Sequence, residues 1–290
     1  MKLIAVDLDG TLLNCRNEIS EENVKAIKYA QSKGIEVIIA TGRAYFDALS
    51  ICKRAGISTY VISDNGAAIH CPESRQIFSI AMDKGDVHQI IRLLEEHDLY
   101  YEVFTNNAIY TTLNKREVLQ IEMDKIRIES PELDISPLHQ AARTQFSQSG
   151  FVFVNNYIEI LEKDEKYYKI LAFSFDEAKR KTGIELFNSM KQLSLVSSGD
   201  YNLEISSKYT SKGNALERLA PILGFSFENT MAIGDSYNDI SMLKKARYNV
   251  AMGNAKDDIK EICDIVTSAN DENGVAHAIY KFINIFKSAS

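Results

Sequence analysis

The sequence has no excess of basic residues. It carries 33 Lys and Arg against 40 Asp and Glu, for a net charge of -7. A protein that holds nucleic acid on a basic surface needs the opposite balance. The composition therefore argues against a nucleic-acid partner. An anionic substrate would need a local positive site, supplied by a metal, a lysine or helix N-termini.

Long apolar runs are also missing. No stretch approaches the roughly 18 uncharged apolar residues of a membrane-spanning helix. The first apolar run is broken early by Asp7, which is unlike a signal peptide. The four cysteines show no C-x-x-C spacing, which favours reduced, structural thiols over disulfides or metal ligands. We therefore expect a soluble cytoplasmic protein with no membrane partner. Nothing in the sequence indicates its oligomeric state.

The N-terminal segment joins an apolar strand to a pair of aspartates. Residues 3–6 are a β-prone run, and Asp7, Leu8, Asp9 and Gly10 follow directly. Strand alternation would point Asp7 and Asp9 to the same side. Two carboxylates that face the same way repel each other unless a cation or a shared proton intervenes. Taken alone, a polar turn at a strand end explains this segment equally well.

The pattern that follows predicts a parallel sheet. Predicted strands at 3–6, 35–40 and 60–62 alternate with predicted helices between Ser20 and Gly34 and from 44 to 55. Such alternation implies right-handed crossovers and an α/β, doubly wound sheet. Functional groups of these sheets gather beyond the carboxyl ends of the strands. Thr41 and Asn65 each follow such an end, as do the two aspartates.

The pattern changes at about residue 84. Strand-like segments then lie next to one another among charged helices, which is an α+β pattern. Strict α/β alternation resumes with predicted helices at 211–223 and 273–286 and predicted strands at 230–233 and 248–252. We therefore predict a core domain of residues 1–83 and 191–290, with an inserted α+β domain of residues 84–190.

Three carboxylates at predicted strand ends can form a metal site. Asp7, Asp9 and Asp235 would offer the hard oxygen ligands that suit Mg²⁺, which binds few protein groups and keeps several waters. Asp7 can attack phosphorus and form an aspartyl-phosphate. Asp9 can protonate the leaving oxygen and later activate water.

Three further groups can bind a phosphate. The Thr41 hydroxyl, the Gly42 amide at a helix start and the Lys212 ammonium are the donors that a phosphate requires. Each has an ordinary explanation by itself: Thr41 as a helix cap, and Lys212 as a solvated lysine. Lys212 is nevertheless oddly placed, because a cation is disfavoured at a helix N-terminus unless an anion lies beside it.

Together these segments resemble a known family. The segments are Asp7-Leu8-Asp9-Gly10-Thr11-Leu12, Thr41-Gly42-Arg43, Lys212-Gly213 and Gly234-Asp235-Ser236-Tyr237-Asn238-Asp239. In type and order they are similar to the four motifs of the haloacid dehalogenase-like superfamily. Asn65-Gly66-Ala67, Ala251-Met252-Gly253-Asn254-Ala255 and the large insertion resemble its Cof-type sugar-phosphate phosphatases. The resemblance implies a Rossmann-like core with an inserted cap that sets substrate specificity.

The resemblance also implies roles for single residues. Asp7 would be the nucleophile and a Mg²⁺ ligand, and Asp235 a further ligand. Asp9 would be the general acid and base, and its backbone carbonyl would also bind the metal. The phosphate would contact Leu8, through its backbone N–H alone, and Thr41, Gly42, Lys212 and Asn238; Ser236 and Asp239 would support the metal ligands.

These observations predict a Mg²⁺-dependent phosphatase that acts on small phosphorylated metabolites. A phosphomutase, which returns the phosphoryl group to a sugar, shares the same core motifs and stays open. A regulatory module that stores an aspartyl-phosphate is a third interpretation. Asp9 argues against it, because a general base beside the phosphate would shorten its lifetime. The sequence does not identify the substrate.

Overall fold

The chain divides into two units, each built on its own β-sheet. The structure is a computed structural model that describes residues 1–287, except for the side chains at 116, 286 and 287. The first unit comprises residues 1–79 and the chain from residue 210 onward, and the second comprises residues 80–209.

The first unit begins with five strands and two helices. They are β1 (Lys2–Val6), α1 (Glu21–Ser32), β2 (Ile35–Ala40), α2 (Tyr45–Arg54), β3 (Val61–Ser63), β4 (Ala68–His70) and β5 (Gln76–Ser79). Ser20 caps α1 as predicted, its hydroxyl accepting the Asn23 N–H at 3.2 Å. The predicted bounds of β2 match the structure. The short strands β4 and β5 were not predicted.

The second unit follows without interruption. Its elements are α3 (Lys84–Glu96), β6 (Tyr100–Thr105), β7 (Ile109–Thr112), α4 (Lys115–Glu129), α5 (Ser136–Gln145), β8 (Phe151–Val154), α6 (Ile158–Leu161), β9 (Tyr167–Phe173), α7 (Glu177–Asn188), β10 (Leu193–Val196) and β11 (Asn202–Ser207). The chain then returns to the first unit with α8 (Lys212–Leu223), β12 (Thr230–Gly234), α9 (Ile240–Leu243), β13 (Tyr248–Ala251), α10 (Asp257–Glu261), β14 (Ile265–Val266) and α11 (Gly274–Lys287).

The sheet of the first unit has the strand order β14-β13-β12-β1-β2-β3-β4-β5. The pairs from β14 to β3 are parallel, and the β3–β4 and β4–β5 pairs are antiparallel. The predicted doubly wound parallel sheet is confirmed, with an antiparallel edge added. Residues 3–6 of the central strand β1 are fully buried, so β1 ends in the middle of the sheet edge where Asp7 begins.

The sheet of the second unit has the order β10-β11-β9-β6-β7-β8. Strand β11 pairs with β9, where Ser206 lies opposite Lys169, and β10 pairs with β11. The predicted boundary after residue 190 is therefore wrong: hydrogen bonding of β10 and β11 keeps the chain in this unit as far as residue 209. At the other boundary the unit begins at residue 80, four residues earlier than predicted.

One face of this second sheet carries a buried charged pair. Tyr101 and Ile170 point to the face that packs with residues of α3 and α7 such as Ile90 and Phe187. On the other face the Lys169 Nζ lies 2.7 Å from a Glu204 carboxylate oxygen, and both side chains are at least 96% buried. The Lys169 Nζ also lies 4.1 Å from the centre of the Phe104 ring.

This ion pair gives a stability prediction. We expect Lys169→Met to lower the free energy of unfolding by about 3–5 kcal/mol, because it leaves the Glu204 charge buried without its partner. The double variant Lys169→Met/Glu204→Leu should regain most of that loss, since neither charge of the pair remains. Urea unfolding of the three proteins measures both changes. Equal stability of the single and double variants would contradict the expectation.

All four cysteines lie within the described residues as free thiols, with Cys52 and Cys71 buried and Cys15 exposed. Within residues 1–287, no helix is both long and apolar enough to cross a bilayer.

Candidate active site

A buried lysine bridges two aspartates at the carboxyl edge of the first sheet. Lys212 begins α8 and is fully buried, and its Nζ donates to Asp7 Oδ1 and Asp239 Oδ1, each at 2.6 Å. Burial lowers the pKa of Lys212, but the charges of Asp239 and Asp7 outweigh burial and raise it above its ordinary value. The cation at a helix N-terminus is thus explained by its two anionic neighbours.

The acidic cluster has more negative charge than this lysine neutralises. Carboxylate oxygens of Asp7, Asp235 and Asp239 lie within 4.8 Å of one another. Burial raises the pKa of Asp7 well above its ordinary value, and the Asp239 charge adds to the rise. Burial likewise raises the pKa of Asp235 to about 7, again with a contribution from Asp239. A divalent cation would relieve this repulsion, so the donor set fits a hard metal such as Mg²⁺.

The bonds of Asp239 separate it from the other two carboxylates. Its Oδ1 accepts from Lys212, and its Oδ2 accepts the backbone N–H groups of Asp235 at 3.0 Å and Ser236 at 3.1 Å. Both oxygens of Asp239 are therefore used within the protein. Asp7 and Asp235 keep oxygens that can bind a metal, although Asp235 also accepts a bond of 2.7 Å from the Thr11 hydroxyl.

Two glycines let these groups approach closely. Gly10 has φ +71°, and a Cβ there would lie 2.5 Å from Asp235 Oδ2. A Cβ at Gly234 would lie 2.5 Å from Asp239 Cγ. Any larger residue would push the carboxylates apart. These glycines of the sequence motifs are therefore explained by the spacing of the acidic cluster.

Strand alternation predicted that the Asp9 side chain joins the carboxylate cluster. In the structure it does not. Strand β1 ends at Val6, and residues 8–12 form a tight helical turn in which Asp9 has a non-helical backbone (φ -73°, ψ 126°). Its Oδ2 accepts from Arg43 Nε at 2.8 Å and its Oδ1 from Arg43 Nη2 at 2.6 Å. The alternation argument was wrong because the strand stops before the second aspartate. Asp239 takes the place in the cluster that was expected for Asp9.

The predicted phosphate-binding residues lie at the same edge of the sheet. Thr41 follows β2, which pairs with β1, and its buried hydroxyl accepts the Arg43 N–H at 3.1 Å. Gly42 comes next, before α2. The Leu8 side chain is fully buried, which leaves only its backbone for the role that the resemblance implies.

Asn238 ties this edge to the turn after β3. Its Nδ2 donates to Asn65 Oδ1 at 3.1 Å, and its Oδ1 accepts from the Ser236 hydroxyl at 2.8 Å. Asn65 lies in a buried turn of left-handed residues, with φ 55°. Gly66 belongs to the same turn, and a Cβ on it would lie 2.2 Å from the Ser211 carbonyl oxygen. The absence of a side chain therefore lets the turn contact the residue before α8.

Sequence reasoning gave no role to Arg43 or Asn254. Asn254 Nδ2 donates to the Gly10 carbonyl at 2.8 Å, and its Oδ1 accepts the Asn270 N–H at 2.9 Å. It thus fixes the backbone of the turn that carries Asp9. Arg43 holds the side chain of Asp9. The sequence placed both residues within motifs but did not indicate their roles, because their hydrogen-bond partners are distant in sequence.

Comparison with known proteins identifies the family of this chain. A family model described as haloacid dehalogenase-like hydrolase matches residues 4–279, so the chain belongs to that family. Phosphatase YwpJ of Bacillus subtilis is 52% identical over 279 residues, covering 96% of this chain and 98% of YwpJ. The 5-amino-6-(5-phospho-D-ribitylamino)uracil phosphatase YwtE of the same organism is 39% identical over 284 residues, covering 98% and 99%.

Solved structures of this family have a similar fold. A haloacid dehalogenase-like hydrolase from B. subtilis matches with a TM-score of 0.85 at 51% identity, covering 97% of this chain and 99% of that one. The subclass IIB sugar phosphatase BT4131 matches with a TM-score of 0.76 at 25% identity, covering 97% and 99%. The predicted family, fold class and phosphatase type of enzyme are confirmed.

Proposed function

We propose that this protein hydrolyses phosphate monoesters of small metabolites, sugar phosphates or related compounds, with Mg²⁺ and through an aspartyl-phosphate on Asp7. One observation carries the proposal: the buried Asp7 carboxylate lies 2.6 Å from the Lys212 ammonium, beside the carboxylates of Asp235 and Asp239. A carboxylate with a cation on one side and a metal-binding neighbour on the other suits attack on an anionic phosphorus centre.

The reaction has two steps. An Asp7 carboxylate oxygen bonds to phosphorus while the bond from phosphorus to the ester oxygen breaks, and the leaving oxygen takes the proton of the Asp9 carboxyl group. Water then attacks phosphorus and gives a proton back to Asp9. The bond between phosphorus and Asp7 breaks, which releases phosphate and restores both aspartates.

The other residues bind the phosphoryl group and the metal. Lys212, the Thr41 hydroxyl and the backbone N–H groups of Gly42 and Leu8 would hold the phosphate oxygens. Asp7, Asp235 and the Asp9 carbonyl would hold Mg²⁺; Asn238, Ser236 and Asp239 would keep these groups in place. Bound Mg²⁺ neutralises charge between the carboxylate and the phosphate.

Release of 4-nitrophenol from 4-nitrophenyl phosphate tests the proposal. We expect release in the presence of Mg²⁺ and its loss when EDTA is added. Failure of the folded, Mg²⁺-loaded protein to hydrolyse this ester and a panel of sugar phosphates would overturn the proposal. Transfer of the phosphoryl group to an added sugar, with no release of inorganic phosphate, would support the phosphomutase instead.

Metal binding should also change stability in a pH-dependent way. The Asp235 pKa is about 7 in the metal-free fold, above its ordinary value of 3.8. A carboxyl whose pKa is raised by folding contributes stability at low pH and loses it as the pH rises through about 7. Mg²⁺ competes with that proton. We therefore expect Mg²⁺ to raise the Tm more at about pH 8 than at about pH 6. Differential scanning fluorimetry measures this; equal shifts would contradict it, and Asp235→Asn should reduce the difference.

The relatives suggest the substrate class. YwtE is named for a phosphate ester of a ribityl chain, and BT4131 is named a sugar phosphatase. A ribityl chain and a sugar are both polyhydroxylated. We infer that this protein acts on a phosphorylated sugar or polyol.

We further infer that the second unit selects the leaving group. Its sheet carries polar buried side chains, Glu102, Lys169 and Glu204, on the face turned away from α3 and α7. The double variant Lys169→Met/Glu204→Leu should change kcat/KM by different factors across a panel of sugar and polyol phosphates. Phosphate release from each ester measures those factors. One common factor for every ester would contradict a role in selection.

A further inference from the structure

Arg43 has no role in the reaction described above, yet it holds the carboxylate of the acid–base residue. Arg43 lies between β2 and α2 and is 6% exposed. Its Nε and Nη2 donate to the two Asp9 oxygens at 2.8 and 2.6 Å. This is a two-bond fork, which fixes both the position and the plane of a carboxylate.

Arg43 is itself held on several sides. Its Nη1 donates to Asp47 Oδ2 at 2.6 Å, and that carboxylate is 7% exposed in the first turn of α2. Its backbone carbonyl accepts the Asp64 N–H at 2.9 Å, and its own N–H donates to the Thr41 hydroxyl. The guanidinium is therefore a fixed reference point within the first unit.

Asp9 is less confined by its own surroundings. Its side chain is 44% exposed, compared with 6% for Arg43. Packing alone leaves such a side chain several rotamers. The fork from Arg43 selects one of them. Each carboxylate oxygen has two lone pairs, and the fork uses one on each, so Asp9 retains positions that can carry the transferred proton.

We propose that Arg43 is the positioning residue for Asp9, and that Asp47 positions Arg43. The proposal rests on the proposed function, in which Asp9 gives its proton to the leaving oxygen as the bond to phosphorus breaks and regains one from water. In this proposal Arg43 contacts neither phosphorus nor the leaving group. It acts by keeping the Asp9 carboxyl group at the place where the leaving oxygen departs.

The test compares esters that differ in their need for a proton. Nitrophenolate leaves readily as an anion, phenolate less readily, and benzyl alkoxide requires protonation. The value of kcat/KM is to be measured on 4-nitrophenyl, phenyl and benzyl phosphate for wild type, Arg43→Lys and Asp47→Asn, with phosphate release as the signal. Arg54→Lys, at the far end of α2, is the matched control and should behave as wild type.

We expect the loss in Arg43→Lys to grow along the series. It should be within about threefold on 4-nitrophenyl phosphate and exceed about thirtyfold on benzyl phosphate, since general acid catalysis contributes factors of about 10²–10⁴. A lysine provides a point charge and cannot reproduce the fork. Asp47→Asn should show the same trend with smaller factors. In an Asp9→Asn background, Arg43→Lys should lower kcat/KM little further, because its effect on the reaction depends on the Asp9 carboxyl group.

Two results would overturn the inference. One is an equal loss on all three esters, which a general loss of structure produces. The other is a weaker inhibition by inorganic phosphate in Arg43→Lys, which shows that Arg43 binds the phosphoryl group. Both are distinct from failure of the proposed function, because wild type would then hydrolyse none of the esters.

Discussion

Asp7→Asn should abolish turnover. We expect kcat on 4-nitrophenyl phosphate to fall by at least about a thousandfold, because an amide oxygen is a poor nucleophile and removal of a covalent nucleophile eliminates the chemical step. The protein should stay folded, because asparagine has nearly the same volume and the substitution removes one of the repelling charges of the cluster. Phosphate release and thermal unfolding measure the two effects.

A surface aspartate provides the control for this substitution. Asp257 lies at the exposed start of α10, and Asp257→Asn should leave kcat unchanged. Trapping provides a second readout: wild type quenched in acid during turnover of a ³²P-labelled ester should retain label, and Asp7→Asn should not. Wild-type turnover in Asp7→Asn would show that another group attacks phosphorus.

Lys212→Met should reduce both stability and activity. The variant keeps the length of the side chain but removes the cation that lies 2.6 Å from both Asp7 and Asp239. We expect the free energy of unfolding to fall by about 3–5 kcal/mol near neutral pH, which is the range for breaking a buried ion pair. The value of kcat should fall by about a hundredfold or more, since a positive charge at the developing phosphoryl charge is lost.

The stability loss in Lys212→Met should depend on pH. The pKa of Asp7 is already raised in the fold, and loss of the ammonium raises it further. Stability from such a group is present at low pH and lost as the pH rises through the folded-state pKa. Urea unfolding should therefore show a smaller difference from wild type at about pH 5 than at about pH 8. Lys25→Met, which removes an exposed pair with Glu21, should change stability by at most about 0.5 kcal/mol at either pH. A pH-independent loss would contradict the charge argument.

Much of the first unit could be predicted because its signals are local. Apolar strands, Ser20 as a cap and glycine at Gly34 mark elements by their immediate neighbours, and alternation of strands with helices determines their parallel pairing. Strands β4 and β5 were not predicted because each is short and, unlike β3, neither is separated from the preceding strand by an α-helix. The boundary at residue 209 was not predicted, because the local sequence of β10 and β11 does not indicate which sheet these strands join.

The candidate site also has features that could be predicted from the sequence and features that could not. Asp7 and Asp235 could be expected to meet, since each follows a strand of the parallel sheet, and the family resemblance added Lys212 to them. The bond from Arg43 to Asp9 could not be predicted, because it depends on the shape of the turn that follows β1. The turn after the strand, and not the strand itself, decides which way the Asp9 carboxylate points.

The position of the second unit in the chain affects how the protein is made. Strand β1 pairs with β2 on one side and with β12 on the other. On the ribosome β2 follows at once, whereas β12 is synthesised only after residues 80–209. During that interval the central strand has an open apolar edge, the feature that promotes association with other chains. Lys212 and Asp235 are also synthesised late, so Asp7 has neither neighbour in the early nascent chain. Rapid folding of residues 80–209 as a unit would bring the two halves of the first sheet together before that edge finds another partner.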